Sequence, residues 1–198
     1  MRVPRVLRAA ALIAAAVLLG LLTVQGTYAL WNAATTGAPG TVQAASFTVN
    51  LTGTPSGQAT PMTLAGGQSA SLALTTQNAV LSPGTATYAN VLVGNASDAG
   101  GAFSIGVTAD APTLVNNAGG SLATYLTVNA KTGTTAADCT ATTGYNTPLN
   151  ATSSLTSAAV PKTGSIYMCF EVRLSSAAPA AVKGQSVNIT IPLTARQL

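Results

Sequence analysis

Between residues 166 and 174 every second side chain is large and apolar: Ile166, Met168, Phe170, Val172 and Leu174 alternate with Tyr167, Cys169, Glu171 and Arg173. A period of two sends successive side chains to opposite faces of an extended chain, so this stretch predicts a strand with one buried face. The same alternation recurs in Phe47, Val49 and Leu51, in Leu72 and Leu74 within 69–75, in Ala89, Val91 and Val93 within 86–93, and in Phe103, Ile105 and Val107. It returns through Leu126 and Val128 within 122–129, and through Val187, Ile189, Ile191 and Leu193. Beyond the N-terminal segment, no stretch longer than a turn or two carries a helical period.

The punctuation between these runs is that of an all-β chain. In Leu81-Ser82-Pro83-Gly84, proline presets φ at the second turn position and glycine supplies positive φ at the third. Pro192 lies on the face opposite Ile191 and Leu193; proline cannot donate to a ladder, so the last strand is expected at an edge, or to end its pairing there. The region 131–161 is mostly Thr, Ala, Ser, Gly and Asn and reads as a long irregular connection with room for one short strand. Roughly eight short strands with turns about every ten residues predict a two-sheet antiparallel sandwich, of jelly-roll or immunoglobulin-like type, preceded by an N-terminal signal helix.

That N-terminal segment is read as an export address. Arg2, Arg5 and Arg8 precede an apolar, alanine-rich run from Ala9 to Val24, and Thr27-Tyr28-Ala29 offers small residues around a cleavage point between Ala29 and Leu30. This is the three-part layout of a secretory signal, and the run is shorter than the roughly 20 residues that span a bilayer. The expected organisation is a signal peptide at 1–29, an extended segment and tether at 30–43, and a β-sandwich domain at 44–198. With the signal removed, no membrane attachment is expected.

Three of the eight basic residues leave with the signal. The remaining Lys131, Lys162, Lys183, Arg173 and Arg196 face Asp98, Asp110, Asp138 and Glu171, so the net charge falls from +4 to nearly neutral. Nucleic-acid binding needs a clustered basic face and is not expected. Charged residues make up 6% of the chain, against roughly 25% in ordinary soluble domains, and Thr, Ser, Asn and Gln occupy the polar positions. Charge is what usually keeps sheet edges apart, so such a surface favours association.

The two cysteines, Cys139 and Cys169, are expected to form a disulfide in an exported chain, with two buried free thiols as the alternative. Closing that loop contributes about 3 to 4 kcal/mol by chain entropy. Cys169 falls on the strand face opposite Met168 and Phe170, so the bridge would pin the 131–161 connection to the sheet's outer face. No CxxC and no histidine accompany the pair, which argues against metal or redox chemistry.

The chain contains no histidine. That excludes Ser-His-Asp and Cys-His arrangements and HExxH zinc sites. The four acids lie in four different segments, so a glycosidase pair would have to be assembled by folding. Lys131-Thr132-Gly133 and Lys162-Thr163-Gly164 match the KTG of penicillin-binding enzymes, but no lysine follows a serine at the required spacing; both are read as turns. Gly94 to Gly101 lacks the lysine and the βαβ context of a phosphate cradle. Asp98 and Asp138 have too few neighbouring carboxylates for an ordinary calcium site. Asn95, Asn150 and Asn188 head N-x-S/T sequons. No catalytic residue, metal site or cofactor is expected.

Several short motifs carry a family resemblance: Gly26-Thr27-Tyr28-Ala29 before Leu30-Trp31-Asn32, the Leu81-Ser82-Pro83-Gly84 turn before a strand, Cys169-Phe170-Glu171-Val172-Arg173-Leu174, and Gly184-Gln185-Ser186. Over almost its whole length the chain resembles actinobacterial exported proteins with an alternate, SipW-type signal peptide, relatives of TasA and camelysin. The resemblance implies cleavage after Ala29 by a dedicated signal peptidase, a jelly-roll-like sandwich, and an extracellular fibre of the biofilm matrix. In such fibres the N-terminal segment of one subunit completes the sheet of the next; the matching donor strand here is Leu30, Trp31, Asn32, Ala33, Ala34, Thr35 and Thr36. The chain departs from the pattern in lacking acidic residues after Trp31 and in carrying a cysteine pair. Camelysin relatives were classed as metalloproteases, an activity that a chain without histidine does not support.

Two functions follow as expectations. One is a secreted structural or cell-surface protein that self-associates into fibres by strand addition, with main-chain hydrogen bonds supplying affinity. The other is a monomeric module for cell-wall glycan, using Trp31, Tyr88, Tyr125, Tyr145 and Tyr167 as stacking surfaces. They differ in whether the aromatics gather on one face.

Overall fold

The computed structural model of the chain describes residues 9–19, 21, 46–54, 57–62, 72, 80–98 and 100–198. The chain divides into two units, Met1–Gln43 and Ala44–Leu198. In the first, residues 9–19 and 21 are helical; among the described residues no helix is long and apolar enough to cross a membrane. The cleavage point Ala29–Leu30, the donor segment 30–36 and most of the strand expected at 69–75 lie outside the described residues.

The second unit is built from antiparallel strands. In chain order these are β1 (Val49–Thr54), β2 (Ala59–Pro61), β3 (Ala86–Asn95), β4 (Ser104–Ala109), β5 (Thr113–Asn116), β6 (Leu126–Gly133), β7 (Thr147–Pro148), β8 (Leu155–Thr156), β9 (Val160–Pro161), β10 (Ser165–Leu174), β11 (Val187–Thr190) and β12 (Leu193–Gln197). A six-stranded sheet has the order β2-β1-β3-β10-β6-β7. A second sheet runs β12-β4-β8, with β9 also paired to β4, and β11-β5 forms a two-stranded ribbon. Among the described residues the sheets do not close into a barrel.

The strict alternation of β10 places it at the centre of the larger sheet. At its middle the inward side chains meet small or β-branched partners on both flanks: Phe170 lies opposite Ala89 of β3 and Ala130 of β6, and Val172 opposite Thr87 and Val128. A large ring between two alanines fills the layer without overpacking. Across from it, Ile105, Val107 and Ala109 of β4 join Val49, Leu51, Val91, Val93, Met168 and Phe170 in one buried core. Both sheets therefore bury their apolar faces against each other, at roughly 1.5 to 3 kcal/mol for each large side chain. The turn before β3 forms as its residues require: Thr85 N–H donates to Ser82 O at 2.9 Å and Gly84 holds φ +82.

The structure corrects four expectations. Leu122–Tyr125 is a 3-10 turn, and the strand begins only at Leu126. Lys131-Thr132-Gly133 is the end of β6, where Lys131 and Thr132 pair with Cys169 and Met168. The 187–193 run is two strands: β11 pairs with β5, the chain breaks at Ile191-Pro192, and β12 pairs with β4. Pro192 marks the place where the chain changes partners. The 131–161 connection holds a 3-10 turn at Ala136–Cys139 and the short strands β7, β8 and β9, each too brief to show a period.

Candidate functional site

Because Met168, Phe170 and Val172 face the core, Tyr167, Cys169, Glu171 and Arg173 must project from the outer face of the six-stranded sheet. Strand register then sets cross-strand rows: Tyr88–Glu171–Asn129 in one, Asn90–Cys169–Lys131 in the next. Glu171 is only 3% exposed. Its Oε1 accepts from Asn129 Nδ2 at 3.0 Å and Arg173 Nε at 3.3 Å, and its Oε2 from Arg173 Nη2 at 2.8 Å and the Tyr88 hydroxyl at 3.3 Å. Arg173 also donates to Gly84 O, which ties the row to the turn before β3.

Burial pushes the Glu171 carboxyl up, but the hydrogen bonds from Arg173 and Asn129, the Arg173 charge and the Tyr88 hydroxyl outweigh it and hold the pKa below the ordinary carboxylate range. The Arg173 guanidinium is correspondingly raised by its bond to Glu171. Burial, followed by the nearby Glu171 charge, raises the Tyr88 hydroxyl. Four hydrogen bonds to its two oxygens hold the Glu171 carboxylate in place.

Beside this row, against Tyr88, Cys169 and Lys131, lies a flap, residues 134–146. Its 3-10 turn starts at a capping box, in which Asp138 Oδ2 accepts from the Thr134 and Thr135 N–H groups, each at 2.8 Å, and the Thr135 hydroxyl accepts from Asp138 N–H. The hydrogen bond from Thr135 N–H, then that from Thr134 N–H, hold Asp138 below the ordinary range. The turn delivers Cys139 to Cys169, and the two form a disulfide. Lys131 Nζ donates to Ala141 O at 3.0 Å and Thr143 O at 2.6 Å, and sits 4.3 Å from the Tyr145 ring centre. The Tyr145 hydroxyl donates to Cys139 O at 2.6 Å, and its ring lies 5.4 Å from that of Tyr88. Burial drives the Tyr145 hydroxyl strongly upward.

Tyr88, Tyr145 and Tyr167 thus share the outer face, whereas Tyr125 ends the 3-10 turn before β6 and Trp31 lies outside the described residues. Asn90 Oδ1 is buried beside them with no hydrogen-bond partner among the described residues. Sequence reasoning missed the Tyr88–Glu171–Asn129 row; two of its members stand on the polar side of clean alternating runs, and only the register joins them. Asp98 accepts from Ser46 N–H, in the segment leading into β1. Among the described residues no three His, Cys, Asp or Glu side chains are grouped for a metal. Of the sequon asparagines, Asn95 is buried with Nδ2 donating to Val160 O, whereas Asn150 and Asn188 are exposed.

The sheet edges differ from one another. At the edges of the two larger sheets, β2, β7 and β9 have two or three residues and each contains a proline, and β8 has two residues. By contrast β12 has five residues and no proline. Asp110 N–H donates to Pro192 O and Leu198 N–H to Ser104 O at its two ends, so antiparallel alternation turns the N–H and C=O of Leu193, Ala195 and Gln197 away from β4. No described residue pairs with that side. Leu193 and Ala195 point their side chains to the core, and Thr194 and Arg196 are exposed.

Fold and edges together define an all-β sheet protein that contains a disulfide and has the edge of β12 unpaired among the described residues. In comparisons with family models, curated proteins and solved structures, nothing matches the chain. A disulfide is compatible with a secreted protein.

Proposed function

We propose that this is a secreted structural protein of the cell surface or extracellular matrix that self-associates into fibres by strand addition. The observation that supports the reading is the outward edge of β12, a row of backbone donors and acceptors at Leu193, Ala195 and Gln197 with no proline to stop it. In this reading the signal is removed after Ala29, and Leu30–Thr36 of one copy pairs with the edge of the next. The nearly neutral surface opposes such contacts less than a charged one would.

Electron microscopy of residues 30–198, purified under oxidising conditions, tests this. Regular fibres at neutral pH that disappear when 30–36 is deleted support the reading; dispersed monomers at high concentration overturn it. Ala195→Pro sharpens the test, because it removes an outward N–H while leaving the β4 ladder whole. Its monomer is expected to keep its stability within about 1 kcal/mol and to lose assembly. Arg196→Pro, which removes an N–H directed at Gly106, is expected to destabilise the monomer instead.

The clustering of Tyr88, Tyr145 and Tyr167 on one face favours a second reading, a monomeric module for neutral cell-wall glycan. Saturable glycan binding by dispersed monomers, weakened by Tyr167→Ala, supports it.

A further inference from the structure

The flap 134–146 meets the sheet through its 3-10 turn and Tyr145. Its 3-10 turn lies against β3, β6 and β10, yet Cys139 is its one fully buried residue. Tyr145 is half-buried, and the remaining side chains are small or polar and mostly exposed. The capping box and the Tyr145–Cys139 hydrogen bond lie within the flap, and order it without attaching it. Besides the packing of that turn, attachment rests on the Cys139–Cys169 bond, the Tyr88–Tyr145 ring contact and the Lys131 amine, which lies on two carbonyls and over the Tyr145 ring. The chain on either side is anchored separately: β6 pairs with β10 up to Gly133, β7 pairs with β6, and Leu149 is buried in the core. The sheet below is a continuous ladder from β1 to β6 that needs none of the flap's residues.

We propose that the Cys139–Cys169 disulfide is a redox latch: in a reducing compartment the flap leaves the outer face while the sheets stay folded, and oxidation after export closes it over Tyr88 and Cys169. The chemistry is thiol–disulfide exchange with a small dithiol. One of its thiolates attacks a cysteine sulfur, a mixed disulfide forms as the other cysteine leaves as thiolate, and the second dithiol sulfur then displaces the remaining cysteine. Two cysteine thiols and one cyclic disulfide result; the reverse exchange, in which an external disulfide is reduced to its two thiols, re-forms the Cys139–Cys169 bond. Both sulfurs are buried, so attack on the folded protein must wait for a local opening of the flap. This inference does not depend on fibre assembly and stands or falls without it.

Amide hydrogen exchange on the full chain, before and after reduction with dithiothreitol at neutral pH, tests the latch. Reduction is expected to speed exchange of 134–146 by about tenfold or more while β3, β6 and β10 remain the most protected strands, and reoxidation to restore it. The double variant Cys139→Ser/Cys169→Ser should reproduce the reduced pattern without any reductant. Unchanged exchange across 134–146 overturns the proposal, because the ring contact and Lys131 would then suffice. Loss of protection throughout β3, β6 and β10 also overturns it, since the bond would be a staple of the whole domain.

Discussion

Replacing Glu171 by glutamine measures what the outer-face row contributes. Removing one partner of a buried ion pair costs roughly 3 to 5 kcal/mol, but the Arg173 side chain is 43% exposed, and water replaces part of what it loses. The glutamine amide keeps one acceptor oxygen for Asn129 or Arg173, while its NH2 faces donors that Glu171 satisfied. A loss of about 2 kcal/mol at pH 7 is expected, read from urea unfolding of the oxidised domain. The pH dependence carries the sharper test. Because the folded-state pKa of Glu171 is lowered, its contribution is fully present above the unfolded value of about 4.3 and disappears as pH falls through the lower folded value. The gap between wild type and Glu171→Gln should therefore be widest near neutrality and shrink below about pH 4. A gap that stays constant from pH 7 to pH 3 would refute the electrostatic account and leave packing as the cause.

Two further substitutions separate core from surface and backbone from side chain. Phe170→Ala, at a ring 1% exposed between Ala89 and Ala130, is expected to cost about 3 to 5 kcal/mol in urea unfolding, whereas Phe47→Ala, at a ring 48% exposed, should cost less than about 1 kcal/mol. Gly84→Ala meets only Ser176 Cβ at 3.7 Å, an ordinary contact, so its expected loss of about 1 to 2 kcal/mol comes from φ +82 alone; no measurable loss would mean the turn relaxes.

How far the sequence could be read depended on how much periodicity each element carries. β10 and β3 have ten residues each, enough turns of the alternation to fix both their type and which face is buried. β5, β7, β8 and β9 have four residues or fewer, and a run of that length, such as Thr113-Leu114-Val115-Asn116, shows no period. The break at Pro192 was legible as a stop in pairing, but not as a change of sheet, because Ile191 and Leu193 preserve the alternation across it. Leu122–Tyr125 failed differently: its apolar residues match a strand, and the local i to i−3 hydrogen bond from Thr124 to Ser121 decides for a turn. Of the outer face, Cys139 and Cys169 were visible as a pair, and Glu171 was visible as an acid in a strand. That Glu171 would meet Tyr88 and Asn129 depended on register between strands far apart in the chain.

The distribution of charge and proline gives the edge of β12 its significance. A chain with 6% charged residues has little to spend on repelling other sheets, so its edges must be closed by geometry. Pro61, Pro148 and Pro161 do this at β2, β7 and β9, each in a strand too short to template another. At β12 the proline is displaced one residue outside the strand, to Pro192, where its carbonyl serves the β4 ladder by accepting from Asp110 N–H. Among the described residues, proline thus stands beside the longest outer strand without stopping its outward edge. Arg196 is the charge within that strand, and it points off the sheet face, where it repels a face-to-face neighbour more than a strand arriving edge-on. An edge treated differently from the other outer strands of both larger sheets is what a strand-adding protein requires, and Ala195→Pro asks whether that difference matters.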